Sequence, residues 1–226
     1  VEEAARVLRD TLPRPAPRST PAEQTAAART ASTERTRAPD GIRLADLAGL
    51  GSARDTAIGI VEDLHAWQAG ELAWDAVHRG MLIVGPPGCG KTELARAMAR
   101  EPGIHLESGS YARWQANGHL GDMLKAMRAS FATAAGQAPS ILFIDELDAF
   151  GSRTGQRSTQ NQSYDTKVIT GLLEQLDGID GREGVTIIAA CNHPDAIDPA
   201  ILRAGRFDAR VEIGLPDAAA LATILR

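Results

Sequence analysis

Glycines at 85, 88 and 90 followed by Lys91 and Thr92, in the run GPPGCGKT, make a backbone stretch with few side chains in its way and one lysine at its end. Glycine permits conformations and close approaches that a Cβ would block, so successive amide N–H groups can point into one concavity, which suits an anion. A helix opening near Lys91 would add the positive end of its dipole; Lys91 can reach terminal phosphates, and the Thr92 hydroxyl can ligate magnesium. The spacing GxxxxGK[ST] behind the apolar run MLIV is highly specific for this use. ILFIDELD supplies the second half of the chemistry. A buried strand ending in Asp145 and Glu146 delivers two carboxylates to the edge where ligands bind parallel sheets. Asp145 would hold magnesium directly or through water, and Glu146 would polarise the attacking water. Successive strand side chains face opposite ways, which lets adjacent acids do different jobs. Together the two stretches predict hydrolysis of ATP or GTP.

Such residues need elements that bring their loops to one edge. After residue 40, short apolar runs alternate with helical spacings. MLIV (81–84), IHL (104–106), ILFI (141–144), VTIIAA (185–190) and RVEI (210–213) read as strands. Between them, Leu120, Met123, Leu124, Met127 and Phe131 recur at helical spacing, as do Val168, Leu172, Leu176 and Ile179. Near-continuous apolar strands separated by helices predict an α/β fold, a parallel sheet of about five strands with helices on both faces. The methionines on that spacing read as core.

Residues 11–39 have another character, with five prolines, many Ala, Ser, Thr and Arg, and almost no large apolar side chains. Burial cannot offset the entropy of ordering such a stretch, so residues 1–40 are expected to form a disordered arm or linker. A net charge of −5 gives no global attraction to nucleic acid or anionic lipid, which disfavours both as partners. The two cysteines, Cys89 and Cys191, form no CxxC pair and suggest neither a disulfide framework nor a zinc ribbon; a reducing, cytoplasmic setting is expected. No apolar stretch approaches the length of a membrane helix, and none of the five histidines forms a spacing such as HExxH.

GPPGCGKT, ILFIDELDAF and above all CNHPDAIDPAILRAGRFDARVEIGLPD resemble the Walker A, Walker B and second homology regions of AAA ATPases. The resemblance covers about residues 42–226 and implies a P-loop NTPase with ATP and Mg2+ as ligands. It places Pro87, Gly88, Cys89, Gly90, Lys91, Thr92 and Glu93 around the phosphates, with Thr92 and Asp145 at the metal. The stretch LADLAGLGSARD is similar to a family segment whose backbone, here Ala48 and Gly49, borders the adenine. By the same resemblance Glu146 and Asn192 act on the lytic water, and Arg203 and Arg206 match arginine fingers that complete the neighbouring subunit's site. Surface ion pairing is the plainer reading of those arginines. The family usually assembles as hexameric rings and acts on polypeptide.

Departures from the pattern matter as well. Ungapped spacing puts HLG, His119 to Gly121, where an aromatic pore-loop residue is common. Trp114 is a substitute for it, or else an indole packed beneath the loop. The polar stretch GSRTGQRSTQNQ (151–162) falls at a second pore loop, or is a surface loop. Cys89 replaces a common threonine and His193 a common arginine. The chain ends at LATILR where the family's small helical lid would begin, so residues 41–216 are expected to be the large domain and 217–226 the start of a truncated lid, most of it absent. The motifs look closest to the branch of membrane-anchored AAA metalloproteases and protein-remodelling ATPases. The expected function is an ATP-driven protein remodeller, with a longer chain's protease as a possible recipient. A nucleotide-gated scaffold and a DNA-loading ATPase are the alternatives. Retention of Glu146, Asn192 and both arginines argues against the first, and the acidic balance with no helix-turn-helix signal against the second.

Overall fold

In a computed structural model of the chain, residues 41–101, 103–116, 118–151, 159–178 and 183–224 are described. The expected arm at 1–40, Ile179 and residues 152–158 of the polar stretch lie outside them.

The apolar runs become five strands, β1 (Gly80–Val84), β2 (His105–Ser110), β3 (Ser140–Asp145), β4 (Val185–Cys191) and β5 (Ala209–Glu212). They pair in parallel throughout, in the order β2-β3-β4-β1-β5. Helices are α1 (Ser52–Gln68), α2 (Lys91–Ala99), α3 (Tyr111–Gln115), α4 (Leu120–Gly136), α5 (Thr159–Asp177) and α6 (Ala218–Ile224). Alternation along the central strands divides the core into two layers. Met81 and Ile83 of β1 pack with Ile60 and Leu64 of α1 and Leu94 and Met98 of α2. Their neighbours Leu82 and Val84 face a second cluster containing Met123 and Met127 of α4 and Val168 and Leu172 of α5. The methionines are thus core, and the sheet is covered on both faces as expected.

Strand boundaries depart from the apolar runs at the sheet edges. In β2 only Gly109 is buried and in β5 only Val211, whereas β1 and β4 are buried throughout. An edge strand needs no continuous apolar run, so β2 continues through Glu107–Ser110, beyond the point where the hydrophobic signal stops. Helix α1, buried through Ala53, Ala57, Ile60, Val61 and Leu64, has no strong apolar stripe to betray it, because small alanines occupy part of its inner face.

The order β3-β4-β1 has one chemical consequence. GPPGCGKT follows β1, Glu146 follows β3 and Asn192 follows β4, so three neighbouring strands release these residues at one carboxyl edge. Ligands bind open parallel sheets there, where connections diverge: β1 continues to β2, beyond β3 and β4, while β5 returns on its other side.

Candidate active site

The loop after β1 folds as its glycines require. Gly88 and Gly90 have φ of 78° and 95°, a region open to glycine and strained for other residues. Gly90 caps α2, which starts at Lys91 as predicted. A Cβ on Gly85 would overlap the carbonyl oxygen of Ile213, so the loop is pressed against the end of β5. Cys89 turns its sulfur inward, into the core cluster of α1 and α2, so the contribution of this residue to an anion site is its backbone.

Lys91 is only 8% exposed. Its Nζ donates to the carbonyl oxygens of Gly85 and Pro86, at 2.7 and 2.9 Å, and to Asn192 Oδ1 at 2.8 Å. A charge so enclosed is tolerated because three oxygens satisfy its three protons. The bond to Asn192 joins the glycine loop directly to the end of β4. Thr92 Oγ1 donates to Asp145 Oδ2 at 3.2 Å, which brings together the two oxygens assigned to the metal. A hydroxyl beside a carboxylate is a hard oxygen pair and fits Mg2+, an ion that keeps several water or phosphate oxygens of its own. Among the described residues no cluster of three His, Cys, Asp or Glu side chains is placed to hold a metal.

Asp145 and Glu146 diverge by a different device from strand alternation. The strand ends at Asp145, whose Oδ1 accepts the backbone N–H of Glu146 at 2.9 Å. Glu146 then adopts left-handed φ and ψ of 53° and 51°, the sole non-glycine residue with positive φ among those described. Such a conformation costs on the order of 1 kcal/mol or more and clusters at functional sites. Asp145, Glu146, Lys91, Thr92 and Asn192 line one cleft together with Pro87, Gly88, Gly90 and Glu93. An adjoining, mostly apolar pocket is lined by Ala48, Gly49, Leu50 and Gly88–Gly90. Pro216 and Thr223, not anticipated as site residues, complete it from the start of the last segment. A Cβ on Gly49 (φ 78°) would lie 2.8 Å from that of Ala220 in α6, so close packing at this pocket wall needs glycine. Glu93 lines both spaces, but its carboxylate is held by Arg100 at 2.6 Å, and Arg100 also donates to the Ile42 carbonyl at 2.7 Å. The pairing neutralises an acid that would otherwise repel phosphate.

Asp148 is a residue beside the cleft that spacing alone did not single out. Its Oδ2 accepts the backbone N–H groups of Asn192 and His193, at 3.1 and 3.0 Å. The turn after Glu146 is thereby fastened to the turn after β4, and the Phe150 carbonyl accepts from Asp198 N–H at 3.2 Å in the same seam. The third acid of IDELD was the available signal. Replacing Asp148 by alanine should free the Asn192 backbone and lower turnover on the order of tenfold, while nucleotide affinity changes little; Asp148→Asn, which keeps an acceptor, should retain most activity. Steady-state rates and equilibrium binding check both. Beside it, the Cys191 thiol is pushed up to about 11 by burial and then by the Asp148 charge, which keeps it protonated and unreactive at neutral pH.

The remaining expectations fall away from the cleft. Trp114 is 2% exposed, donates from its indole to Ser130 Oγ at 3.1 Å and meets Phe150 edge-on at 6.1 Å. It is the packed indole of the two readings and is not available to grip a chain. His119 and Gly121 are exposed at the start of α4. Residues 159–162 of the polar stretch belong to α5. Neither Arg203 nor Arg206 lines the cleft. A Cβ on Gly80, the first residue of β1, would overlap the Arg206 carbonyl oxygen, so Arg206 stands at the opposite end of β1 from GPPGCGKT. At about 3.3 Å per residue the strand separates them by roughly 16 Å.

Residues 81–215, more than half of the chain, match the family model of the "ATPase family associated with various cellular activities (AAA)". An ATP-dependent zinc metalloprotease FtsH 3 from Sphaerobacter thermophilus is 42% identical over 181 residues, which is 80% of this chain and 36% of that protein. The mitochondrial inner membrane i-AAA protease supercomplex subunit YME1 of Saccharomyces cerevisiae is 39% identical over 189 residues, 84% of this chain and 25% of its own length. The chain thus spans about a quarter to a third of the length of the curated relatives it matches.

Proposed function

The chain belongs to the AAA family of ATPases, and from that membership we propose that its cleft hydrolyses ATP with Mg2+, in a ring of subunits that uses the reaction to remodel or unfold protein. The observation that carries this reading is the convergence of Lys91, Thr92, Asp145, Glu146 and Asn192 at three adjacent strand ends. The apolar pocket at Ala48 and Gly49 takes the adenine, and the amides of Gly88 to Thr92 with Lys91 take the phosphates. Thr92 and Asp145 hold Mg2+, whose chemistry there is neutralisation of phosphate-oxygen charge. Glu146 draws the proton of a water as the water oxygen bonds to the γ-phosphorus and the bond to the β-phosphate oxygen breaks, with ADP as leaving group. Asn192, whose Oδ1 is engaged by Lys91, keeps its amide N–H groups for the water or the γ-phosphate.

A head-to-tail contact that closes gives a ring, here a hexamer. In it the arginine pair Arg203 and Arg206 serves the neighbouring subunit's nucleotide; the position of Arg206 at the far end of β1 from the chain's own glycine loop supports this. The relatives named as ATP-dependent proteases support polypeptide as the substrate and coupling to proteolysis in a longer chain. ATP turnover by the full-length protein should rise several-fold with a permanently unfolded protein and stay constant with DNA. Stimulation by DNA alone would sink protein remodelling, and no turnover under any condition would sink the ATPase itself. Among the described residues, no helix is long and apolar enough to cross a membrane.

A further inference from the structure

The two arginines of LRAGRFD are in unlike surroundings. Arg203 is exposed, at the middle of the turn 200–206, and makes no hydrogen bond or ion pair among the described residues. Arg206 has a side chain only 12% exposed. Its Nε and Nη2 donate side-on to both carboxylate oxygens of Asp177, at 2.7 and 2.8 Å, and Nη1 donates to the Ala200 carbonyl oxygen. One guanidinium thus ties residue 206 to residue 200, the two ends of the turn that carries Arg203, and fastens both to the last residue of α5. The base of that turn is itself fixed. Asp198 Oδ1 accepts the Ala200 N–H at 2.9 Å, and Ile201 is fully buried. A planar fork with three of its five donors engaged inside its own chain is built for holding geometry.

Building on the reading that these arginines serve the neighbouring subunit, we propose that they divide the work. Arg203 is the group that reaches the neighbour's phosphates, and Arg206 is a positioning residue that acts through Asp177 and Ala200 by closing the turn beneath it. Asp177, a half-exposed acid at a helix end that no motif singles out, becomes part of the inter-subunit machinery.

The experiment is a double-mutant cycle in the full-length protein, with kcat and KM for ATP measured for Arg203→Ala, Arg206→Ala, Asp177→Ala and the double variant of the last two. Arg203→Ala should lower kcat on the order of 10³-fold, the scale of a lost finger. Arg206→Ala and Asp177→Ala should each lower it on the order of tenfold, and the double variant by clearly less than the product of the two, since the Arg206–Asp177 pair is lost in both. KM for ATP should stay near that of the unaltered protein, because each subunit's own cleft is intact, and the thermal unfolding midpoint of each variant separates a lost contact from a general loss of folding. Arg206→Lys guards against an alanine variant that fails to fold. Lysine keeps one bond to Asp177, so its advantage over alanine should vanish when Asp177 is alanine. Normal turnover in Asp177→Ala, with Arg206→Ala falling as far as Arg203→Ala, would overturn the division and make Arg206 a finger. A lysine rescue that persists without Asp177 would overturn it as well. An unaltered protein that hydrolyses no ATP would instead remove the reading beneath it.

Discussion

Glu146→Gln is expected to bind ATP as tightly as the unaltered protein and to hydrolyse it roughly 10²- to 10⁴-fold more slowly, the range lost with a general base. Glutamine keeps the shape of the side chain and its left-handed backbone, so the loss isolates the carboxylate charge that draws the water's proton. Asp145 cannot take over. One of its oxygens accepts the Glu146 N–H and the other the Thr92 hydroxyl, which commits it to holding the strand end and the metal. Lys91→Ala should behave oppositely, losing nucleotide affinity first. It removes the cation near the phosphates and also leaves Gly85 O, Pro86 O and Asn192 Oδ1 without their donor, so the glycine loop loses its side-chain tie to the end of β4. Nucleotide affinity and phosphate release, measured side by side, separate the two variants. Unimpaired turnover in Glu146→Gln would reject its role as base, and unimpaired affinity in Lys91→Ala would reject the phosphate site.

These two residues were legible in the sequence because the chemistry they serve tolerates little variation in type or spacing. A glycine loop, a lysine, a hydroxyl and adjacent acids after apolar strands have few other uses. The fold was legible for a related reason: β1 and β4 are buried on both faces and must be continuously apolar. Where burial is partial the signal thins, which is why β2 ran past Leu106; in α1 two alanines on the inner face weaken the stripe that Ile60, Val61 and Leu64 continue. Least legible were residues whose importance lies in a partner distant along the chain. Asp148 meets Asn192, 44 residues on, and Arg206 meets Asp177, 29 residues back. Neither pairing has a local pattern, because a hydrogen bond between loops depends on the order in which strands lie in the sheet. The division between Asp145 and Glu146 was foreseen, but its cause was not: the left-handed turn at Glu146 is a backbone choice that a glutamate does not advertise.

Mixing two inactive variants should restore hydrolysis. Arg203→Ala in the full-length protein leaves every nucleotide cleft intact and removes the cation offered to the neighbour; Lys91→Ala does the reverse. Each alone should be nearly inactive, Arg203→Ala by on the order of 10³-fold or more. Arg206 stands at the far end of β1 from the glycine loop, and Arg203 belongs to the turn that Arg206 closes, so a cis contact would require that turn to leave Asp177, Ala200 and the edge of the sheet together. In mixed rings some interfaces pair an intact cleft from one variant with an intact Arg203 from the other, and activity should exceed the sum of the separate preparations. Labelled subunits establish whether exchange has occurred. With exchange confirmed and no activity regained, two explanations remain: a finger acting in cis, or hydrolysis that needs every interface sound. Crosslinking from position 203 to an ATP analogue bound by the other variant distinguishes them. Capture of the analogue at position 203 of the Lys91→Ala chain, whose own cleft is impaired, supports action between subunits even in a silent ring, and capture confined to the chain whose cleft bound the analogue rejects it.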